Sequence, residues 1–351
     1  MLLLARALRE RGHGQLVACP DDSSLGQRAR QFGFRVVTFS RRNPLPATIR
    51  ELRREIARSG FEVLHAHDGR GQTLSALASI GSGAKRVATR RVTFMPAGLG
   101  PKMGWHRLQY GPTCDAIIAV SDFIRDLLVR SGIPAAKIAV IRDGIEIPAQ
   151  LPDARVSALS RVKWGLDPEA FVVGHVGAFT PEKGQDVLLE AFLRFTPPAS
   201  RRARLLLAGD GPERRSPRVS GLLTKAGDSV RWVGWIEDLA PFFAALDLYA
   251  MPSRAEGLGS SALLAMAHGL PVVASRVGGL PEVVEEGRTG WLVPPDSPGD
   301  LADALADAAS HPQRLRQFGE QARERAAGFS SDIMIGQTES VYLRLTQAES
   351  G

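Results

Sequence analysis

Short apolar runs alternate with amphipathic helical stretches along most of this chain. The opening "LLLARALRERGHG" places Leu3, Leu4 and Leu8 on one side of a helix that ends at Gly12. The apolar runs "QLVACP", "RVVTF", "VLHAH", "RVATRR" and "AIIAVS" follow, separated by polar helical segments such as "PATIRELRREIARSG". This alternation is typical of βα units around a parallel sheet.

The pattern fades in a proline-punctuated stretch, "IPAQLPDARVSALSRVKWGLDPEA", and restarts at "FVVGHVG". A second series of strands and helices then runs to the last helix, "SSDIMIGQTESVYLRLTQ". The predicted organisation is an N-terminal domain 1–147, a linker 148–170, a second domain 171–328 and a final helical segment 329–351 that crosses back to the first domain.

The beginning of the sequence departs from this fold type. A Rossmann-like domain normally opens with a strand and a glycine-rich loop, whereas this sequence starts at the following helix. Without that strand the first sheet lacks a central member, and its neighbours keep unpaired backbone groups. We predict an α/β fold of two Rossmann-like, doubly wound domains facing a cleft, with the first strand missing. We also expect that the natural protein extends upstream or that its start codon is misassigned.

Length and composition agree with this organisation. A chain of 351 residues suits two domains, and 44% hydrophobic with 23% charged residues is typical of a soluble globular protein. No apolar run approaches the roughly 18 residues of a spanning helix, and Arg6 comes too early for a signal peptide. Cys19 and Cys114 form no metal or disulfide pattern, which favours a reducing compartment, the cytoplasm.

The charge is uneven, since residues 1–150 hold 23 Lys and Arg against 12 Asp and Glu. A basic face suits phosphorylated partners or anionic lipid, so we expect any membrane contact to be peripheral, at the inner membrane face. The sequence shows no interleaving of aromatic and basic residues and no zinc spacing, which argues against nucleic acid. A solvated basic surface is the ordinary alternative.

The stretch "AEGLGSSALLAMAHG" predicts a ligand-binding loop followed by a helix. Gly257 and Gly259 allow the backbone to approach a ligand, and Ser260 or Ser261 is predicted to cap the helix. Amides at a helix start favour an anion such as phosphate, although an ordinary capped turn explains the same pattern. Glu256 is compatible with a phosphate only if it contacts something else, such as sugar hydroxyls.

Two other loops carry candidate chemistry. In "GAFTPEKGQDVLLEAF", Lys183 follows a strand and is predicted to meet the same phosphate across the cleft. This is not a Walker A loop, because Lys183 is followed by Gly-Gln in place of Ser or Thr, and no G-x-G-x-x-G opens a helix. In "AGDGPER", Gly209 and Gly211 indicate either a ligand-facing turn or only a tight turn.

These motifs together resemble those of retaining family-4 glycosyltransferases of the GT-B fold. The resemblance covers roughly residues 171–296, through "VGAFTPEKGQDVLLEAF", "LLLAGDGPE", "VRWVGWIEDL", "DLYAMPSRAEGLGSSALLAMAHGLPVVAS" and "VGGLPEVVEEGRTGWLV". Fainter similarity lies in "VLHAH", "CDAIIAVS" and "VIRDGIE". It implies transfer of a sugar from a nucleotide-sugar to an acceptor with retained configuration, without a cofactor or metal. The sequence contains no Asp-x-Asp pair, in agreement with that implication.

The resemblance also implies roles for individual residues. Lys183 and the amides near Gly259 and Ser260 would stabilise the diphosphate leaving group, and Glu256 would hold sugar hydroxyls. His67 matches a histidine that faces the donor sugar, although His65 lies on the same side of the strand. The predicted catalytic residues are Glu256, Lys183 and His67; the donor-binding residues are Gly177, Lys183, Gly209, Gly211, Glu256, Gly257, Leu258, Gly259, Ser260 and Leu264; and the acceptor candidates are Arg90 and Arg91.

Two positions depart from the family pattern. Leu264 stands where a second carboxylate usually accepts hydrogen bonds from the ribose, and a buried leucine offers no acceptor. Losing two charged hydrogen bonds would cost about 3–6 kcal/mol, or roughly a hundred- to ten-thousand-fold in affinity. Ala178 stands where many relatives have an arginine beside the lysine.

The sequence therefore predicts a glycosyltransferase that builds a cell-surface polysaccharide, lipopolysaccharide or lipid-linked saccharide. A non-catalytic homologue that acts as a binding or partner protein is one alternative, favoured by Leu264, Ala178 and the missing strand. A GT-B sugar-nucleotide epimerase, which releases free sugar, is the other.

Overall fold

The computed structural model describes residues 1–40, 42, 44–93, 110–199 and 201–347. The chain divides into two compact units. The first unit comprises Met1–Arg91, Met95–Gly144 and Ser331–Gly351, and the second comprises Val92–Phe94 and Ile145–Ser330.

The first unit is built from short parallel strands and the helices that connect them. The opening helix is α1, which ends before Gly12, where the backbone has a φ of 90°. The elements in chain order are α1 (Leu2–Glu10), β1 (Leu16–Pro20), α2 (Ser24–Gln31), β2 (Arg35–Phe39), α3 (Leu45–Ser59), β3 (Val63–Ala66), α4 (Gly69–Ala78), β4 (Lys85–Arg90), β5 (Ala116–Ala119), α5 (Asp122–Arg130) and β6 (Ile138–Val140).

The strands of the first unit form two separate sheets. Strands β1 and β2 pair in parallel, with Leu16 opposite Arg35, while β3, β4, β5 and β6 form a four-stranded parallel sheet in that order. No described strand joins β1 to β3. The described strands of the first unit therefore form two sheets and not one continuous doubly wound sheet.

The second unit has a six-stranded, fully parallel sheet with the order β12-β11-β10-β7-β8-β9. Its elements are α6 (Ala154–Lys163), β7 (Phe171–Val176), α7 (Gln185–Arg194), β8 (Ala203–Ala208), α8 (Pro217–Ala226), β9 (Val230–Trp232), α9 (Ala240–Ala244), β10 (Leu248–Met251), α10 (Ser260–Ala267), β11 (Val272–Ser275), α11 (Leu280–Val283), β12 (Gly290–Val293), α12 (Pro298–Ser310) and α13 (Pro312–Ala327).

The core of the second unit explains its apolar strands. Phe171 and Val173 of β7, Leu205 of β8 and Leu248 of β10 are fully buried in one cluster with α7 and α12. Strands with helices on both faces are apolar at nearly every position, as "FVVGHV" and "ARLLLA" are. Each such side chain contributes about 1.5–3 kcal/mol on burial.

The last described helix, α14 (Ser331–Gln347), belongs to the first unit. Its buried Met334, Ile335 and Val341 pack with Leu4 and Leu8 of α1. The end of the predicted final segment, residues 348–351, lies outside the described residues. None of the helices described in the structure is long and apolar enough to cross a membrane.

Residues 148–170, which the sequence assigns to a linker, instead hold helix α6 within the second unit. Asp153 caps this helix by accepting a hydrogen bond from the Val156 amide. The Arg161 guanidinium lies 2.9 Å from the Asp247 carboxylate, and Trp164 Nε1 donates to Pro241 O over 3.3 Å. The prolines that suggested a linker flank the helix and do not interrupt it.

Candidate active site

The candidate site of the second unit lies where the strand order reverses. β7 and β10 are neighbours, with Leu248 opposite Val173, yet the chain leaves them toward opposite edges of the sheet. The loop 177–184 follows β7 and the loop 252–259 follows β10. Ligands bind parallel α/β sheets at the carboxyl ends of such a pair of strands.

Lys183 and Glu256, from these two loops, form an ion pair. Lys183 Nζ donates to Glu256 Oε2 over 2.6 Å, and the side chains are 25% and 14% exposed. Ser253 Oγ lies 3.5 Å from the same oxygen. Lys183 therefore lies in the same unit as Glu256 and the start of α10, and the expectation that it approaches from across a cleft is wrong.

The start of α10 differs from the prediction in its capping. Gly259 is the N-cap residue with a φ of 106°, and no side chain caps the helix, so the predicted serine cap is wrong. The reason is geometric, because Ser260 is already the first helical residue and a cap must precede it. Ser260 is exposed, whereas Gly257 and Leu258 are buried.

The backbone of the Glu256 loop packs against a glycine pair after β11. A Cβ at Gly278, whose φ is 56°, would lie 1.8 Å from Glu256 O, and one at Gly279 would lie 2.3 Å from Gly257 O. The Gly279 amide donates to Glu256 O over 3.2 Å. The missing side chains of Gly278 and Gly279 allow the backbone at Glu256 and Gly257 to lie this close to the loop after β11.

Gly177, Gly209 and Gly211 also lie at this end of the sheet. A Cβ at Gly209, with a φ of 118°, would lie 2.0 Å from Gly177 O, and one at Gly211 would lie 2.4 Å from Phe179 O. Close backbone packing between the loops after β7 and β8 is thus sufficient to require glycine at 209 and 211. Their donor-binding role stays a prediction.

His175, inside β7, connects three parts of the site. Its Nδ1 donates to Ala250 O over 2.9 Å, which leaves Nε2 as the acceptor facing Gln185 Nε2 at 3.3 Å. Gln185 also donates to Ala178 O over 2.8 Å. Burial is the main cause that lowers the pKa of His175 to about 4, so the ring is neutral.

This neutral ring predicts a loss of stability in acid. Below pH 6.5 the unfolded chain binds a proton at His175 that the folded chain does not, until the pH falls to about 4. We expect His175 to contribute about 1.4 kcal/mol of lost unfolding free energy per pH unit in that window. Urea unfolding of wild type and His175→Gln between pH 4.5 and 6.5 measures this, and equal pH slopes would contradict it.

His67 lies at the end of β3 in the first unit. Arg91 Nη1 lies 3.2 Å from His67 Nδ1, and Arg91 Nε lies 3.0 Å from Asp143 Oδ1. Burial, His65 and Arg91 lower the pKa of His67 well below its usual range. Because a guanidinium only donates, His67 Nδ1 is the acceptor and its proton is on Nε2. His67 can therefore donate a hydrogen bond, but it is not placed to accept a proton at Nδ1.

His65 and Arg90 have different surroundings. The rings of His65 and His67 are tilted by 34° with centroids 4.1 Å apart, and His65 Nε2 lies 2.6 Å from Thr89 Oγ1. Arg90 is only 7% exposed, and its Nη1 donates to Tyr110 Oη over 3.2 Å. The structure thus corrects the acceptor prediction for Arg90, because its side chain points into the unit and contacts an aromatic ring.

The two departures from the family pattern both lie at accessible places. Leu264 is half-buried, not buried as expected, and lies one helical turn from Ser260 on the same side of α10. Ala178 is exposed at the end of β7. In the described residues no group of three or more His, Cys, Asp or Glu side chains is arranged to hold a metal ion. Metal independence stays a prediction.

Comparisons with known proteins decide the family. A model described as Glycosyl transferases group 1 matches residues 170–311, and one described as Glycosyltransferase Family 4 matches residues 1–147. An alpha-maltose-1-phosphate synthase of Mycolicibacterium smegmatis is 30% identical over 319 residues, covering 81% of this chain and 79% of that protein. The chain belongs to glycosyltransferase family 4, group 1.

This family 4 chain is also 36% identical to D-inositol 3-phosphate glycosyltransferase 2 of Catenulispora acidiphila over 245 residues. The match covers 66% of the chain and 56% of that relative, so the chain spans little more than half its length. The crystal structure of Anabaena Alr3699/HepE in complex with UDP has a TM-score of 0.84 at 23% identity, covering 97% of this chain and 93% of that one. This likeness shows the GT-B fold.

The sequence does not predict three charged residues at the site of this family 4 chain. Arg254 lies in the loop after β10 and pairs with Asp186 of α7 and Asp296 of the loop after β12. Arg254 and Asp186 lie inside recognised motifs and Asp296 follows one, but their pairing joins positions up to 68 residues apart. No local pattern in the sequence reports such a pairing.

Proposed function

We propose that this chain transfers a sugar from a nucleotide-sugar donor to a glycan or lipid-linked acceptor with retention of configuration and without a metal. The observation that carries the proposal is the Lys183–Glu256 pair at the strand reversal of a family 4 fold. A cation and a carboxylate within 2.6 Å of each other offer a phosphate partner and a hydroxyl partner in one place.

In this proposal the bond between the sugar carbon and the diphosphate oxygen breaks, and negative charge grows on the diphosphate. Lys183 and the amides at the start of α10 stabilise that charge. Glu256 accepts hydrogen bonds from donor-sugar hydroxyls. His67, in the first unit, carries its proton on Nε2, and its role toward the donor sugar stays a prediction.

A panel of UDP-, GDP- and ADP-sugars tests the function. We expect one donor to release nucleoside diphosphate, with a glycoside as the product when a glycan or lipid-linked acceptor is present. Free sugar as the sole product would favour the epimerase alternative. Neither product with any donor would favour a binding protein.

The Lys183–Glu256 pair predicts opposite effects of one substitution on nucleotide binding and on turnover. Glu256→Gln removes the carboxylate that neutralises Lys183 and that repels phosphate. We expect UDP to bind about tenfold tighter, because the ammonium no longer has a competing partner, while sugar transfer falls. Calorimetric titration with UDP measures the first effect and diphosphate release the second.

Glu190→Gln is the matched control for this substitution. Glu190 is a carboxylate of the same unit that lies within α7 and is paired with Arg218 at 2.8 Å. We expect Glu190→Gln to change neither UDP affinity nor the rate of diphosphate release. Weaker UDP binding in Glu256→Gln would show that Lys183 does not receive the diphosphate.

Leu264→Glu tests the missing second carboxylate. Position 264 is half-buried and shares a helix face with Ser260, so a glutamate there keeps part of its contact with water. We expect donor KM to fall about tenfold to a hundredfold, the value of one charged hydrogen bond to the ribose. Leu264→Gln is the uncharged control. An unchanged or higher KM would indicate a site adapted to another ribose contact.

We propose that the acceptor is used near an anionic membrane surface. Arg50, Arg53, Arg54 and Arg58 are exposed on α3 of the first unit. Clustered arginines attract anionic lipid at roughly 1 kcal/mol each. Flotation with vesicles of phosphatidylcholine, with and without phosphatidylglycerol, tests this placement.

A further inference from the structure

Arg254 joins the two loops of the candidate site through several polar contacts. Its Nη1 and Nη2 donate to the two carboxylate oxygens of Asp186 over 2.9 and 2.7 Å. Its Nε donates to Asp296 Oδ1 over 2.5 Å, and its Nη1 also donates to Pro181 O over 2.7 Å. Its backbone amide donates to Glu182 O over 2.8 Å.

These contacts connect the segments that carry the ion-paired side chains. Asp186 is in the first turn of α7, three residues after Lys183, and Arg254 is two residues before Glu256. Asp296 extends the network to the loop after β12. Three loops at the carboxyl end of one sheet are therefore joined by a single guanidinium.

The burial and the bidentate hydrogen bonds of this network restrict the motion of the Arg254 side chain. The Arg254 side chain is 27% exposed and Asp186 13%, and a planar guanidinium that bonds both oxygens of a carboxylate has little rotational freedom. Among the residues that the structure describes, Asp296 is the non-glycine residue with a positive φ, at 53°. Aspartate tolerates that conformation better than most residues, and here it directs the carboxylate toward Arg254.

We propose that Arg254 is a positioning residue, which sets the distance between Lys183 and Glu256 by holding the loop after β7 against the loop after β10. The role rests on the proposed function, because only a site that needs both side chains depends on their spacing. Arg254 itself is not assigned a contact with donor or acceptor. A displacement of about 1 Å in such a site costs up to roughly a hundredfold in rate.

The test compares Arg254→Gln, Arg254→Lys and Asp296→Asn with Arg276→Gln. Arg276 pairs with Glu286 at 3.1 Å in the same unit, with both side chains about half exposed, and is the matched loss of a surface ion pair. Asp296→Asn keeps a side chain that accepts the positive φ and removes only the charge. Hydrogen exchange of segments 178–186 and 253–259, thermal unfolding and donor kcat and KM are measured for each.

We expect Arg254→Gln to raise hydrogen exchange in both segments by about tenfold and to lower kcat/KM by about tenfold to a hundredfold relative to Arg276→Gln. Arg254→Lys should recover thermal stability more than kcat/KM, since an ammonium cannot bond Asp186 bidentately and Asp296 together. Asp296→Asn should have a smaller effect in the same direction.

Two results would overturn the role of Arg254. One is unchanged hydrogen exchange in both segments of Arg254→Gln. The other is a kcat/KM equal to that of Arg276→Gln in an enzyme whose wild type turns over its donor. If the wild type turns over no donor, the proposed function fails, and the hydrogen-exchange comparison still decides whether Arg254 holds the two loops.

Discussion

Replacing Lys183 with glutamine is expected to lower donor kcat/KM by about a hundred- to a thousand-fold, the effect of removing one preorganised donor of a leaving-group site. Glutamine keeps much of the length of the side chain but no charge. Ala178, on the same loop, provides no second cation. Steady-state release of nucleoside diphosphate, with the donor found by the panel, measures the loss.

Two companion variants separate charge from fold. Lys183→Arg keeps the cation and should retain more activity than Lys183→Gln, because its guanidinium still pairs with Glu256 and with phosphate. Lys225→Gln removes an exposed cation from α8 in the same unit and should leave kcat/KM unchanged. If Lys183→Gln retained wild-type kcat/KM, the loop after β7 would have no part in leaving-group stabilisation.

Replacing Gly278 with alanine is expected to destabilise the second unit by about 2–5 kcal/mol and to displace Glu256. A φ of 56° costs a non-glycine residue about 1–2 kcal/mol, and the added Cβ would lie 1.8 Å from Glu256 O. Relief of such an overlap moves backbone and typically costs another 1–3 kcal/mol or so. Urea unfolding measures the stability, and donor turnover should fall because the carboxylate loop has moved.

Gly287→Ala is the control that isolates the overlap. Gly287 has a φ of 72°, but a Cβ there would meet no atom within 4 Å. It should lose only about 1–2 kcal/mol, the cost of the left-handed conformation, and keep full turnover. Equal losses in the two variants would mean that contact with Glu256 O contributes nothing.

The sequence predicts the fold class correctly, because the patterns that indicate strands and helices lie within short segments of the chain. Apolar strand runs and amphipathic helices identify βα units, and a βα alternation permits few topologies. The family assignment rests on the same stretches, since Lys183 and Glu256 each lie in a recognisable motif.

The details that sequence reasoning got wrong depend on three-dimensional context. A serine at a loop–helix junction resembles a cap. The backbone angles at Gly259, however, make Gly259 the N-cap residue and Ser260 the first residue of the helix. Arg90 is indistinguishable from Arg91 in "RVATRR", but in the fold Arg90 is the buried last residue of β4, whereas Arg91 follows the strand and pairs with Asp143. The prolines on either side of α6 predict a linker, because the sequence alone does not distinguish a proline that flanks a helix from one that interrupts it.

Contacts between distant residues account for the rest. The charge pairing of Lys183 with Glu256 joins positions 73 residues apart, and that of Arg254 with Asp186 joins positions 68 apart. The order of the strands in the sheet brings these residues together, and the sequence does not state that order. The tautomer of His67 likewise depends on Arg91, which arrives from the next strand.

The Lys183–Glu256 pair also affects how a donor is captured. With its cation balanced by a carboxylate at 2.6 Å, the unliganded pocket has little net charge from this pair and exerts only a weak long-range pull on a dianion. Any steering of a donor to this site must therefore come from charges other than this pair, and the pair itself adds little to the dependence of the association rate on ionic strength. We expect donors to differ mainly in the rate at which each one dissociates from this site.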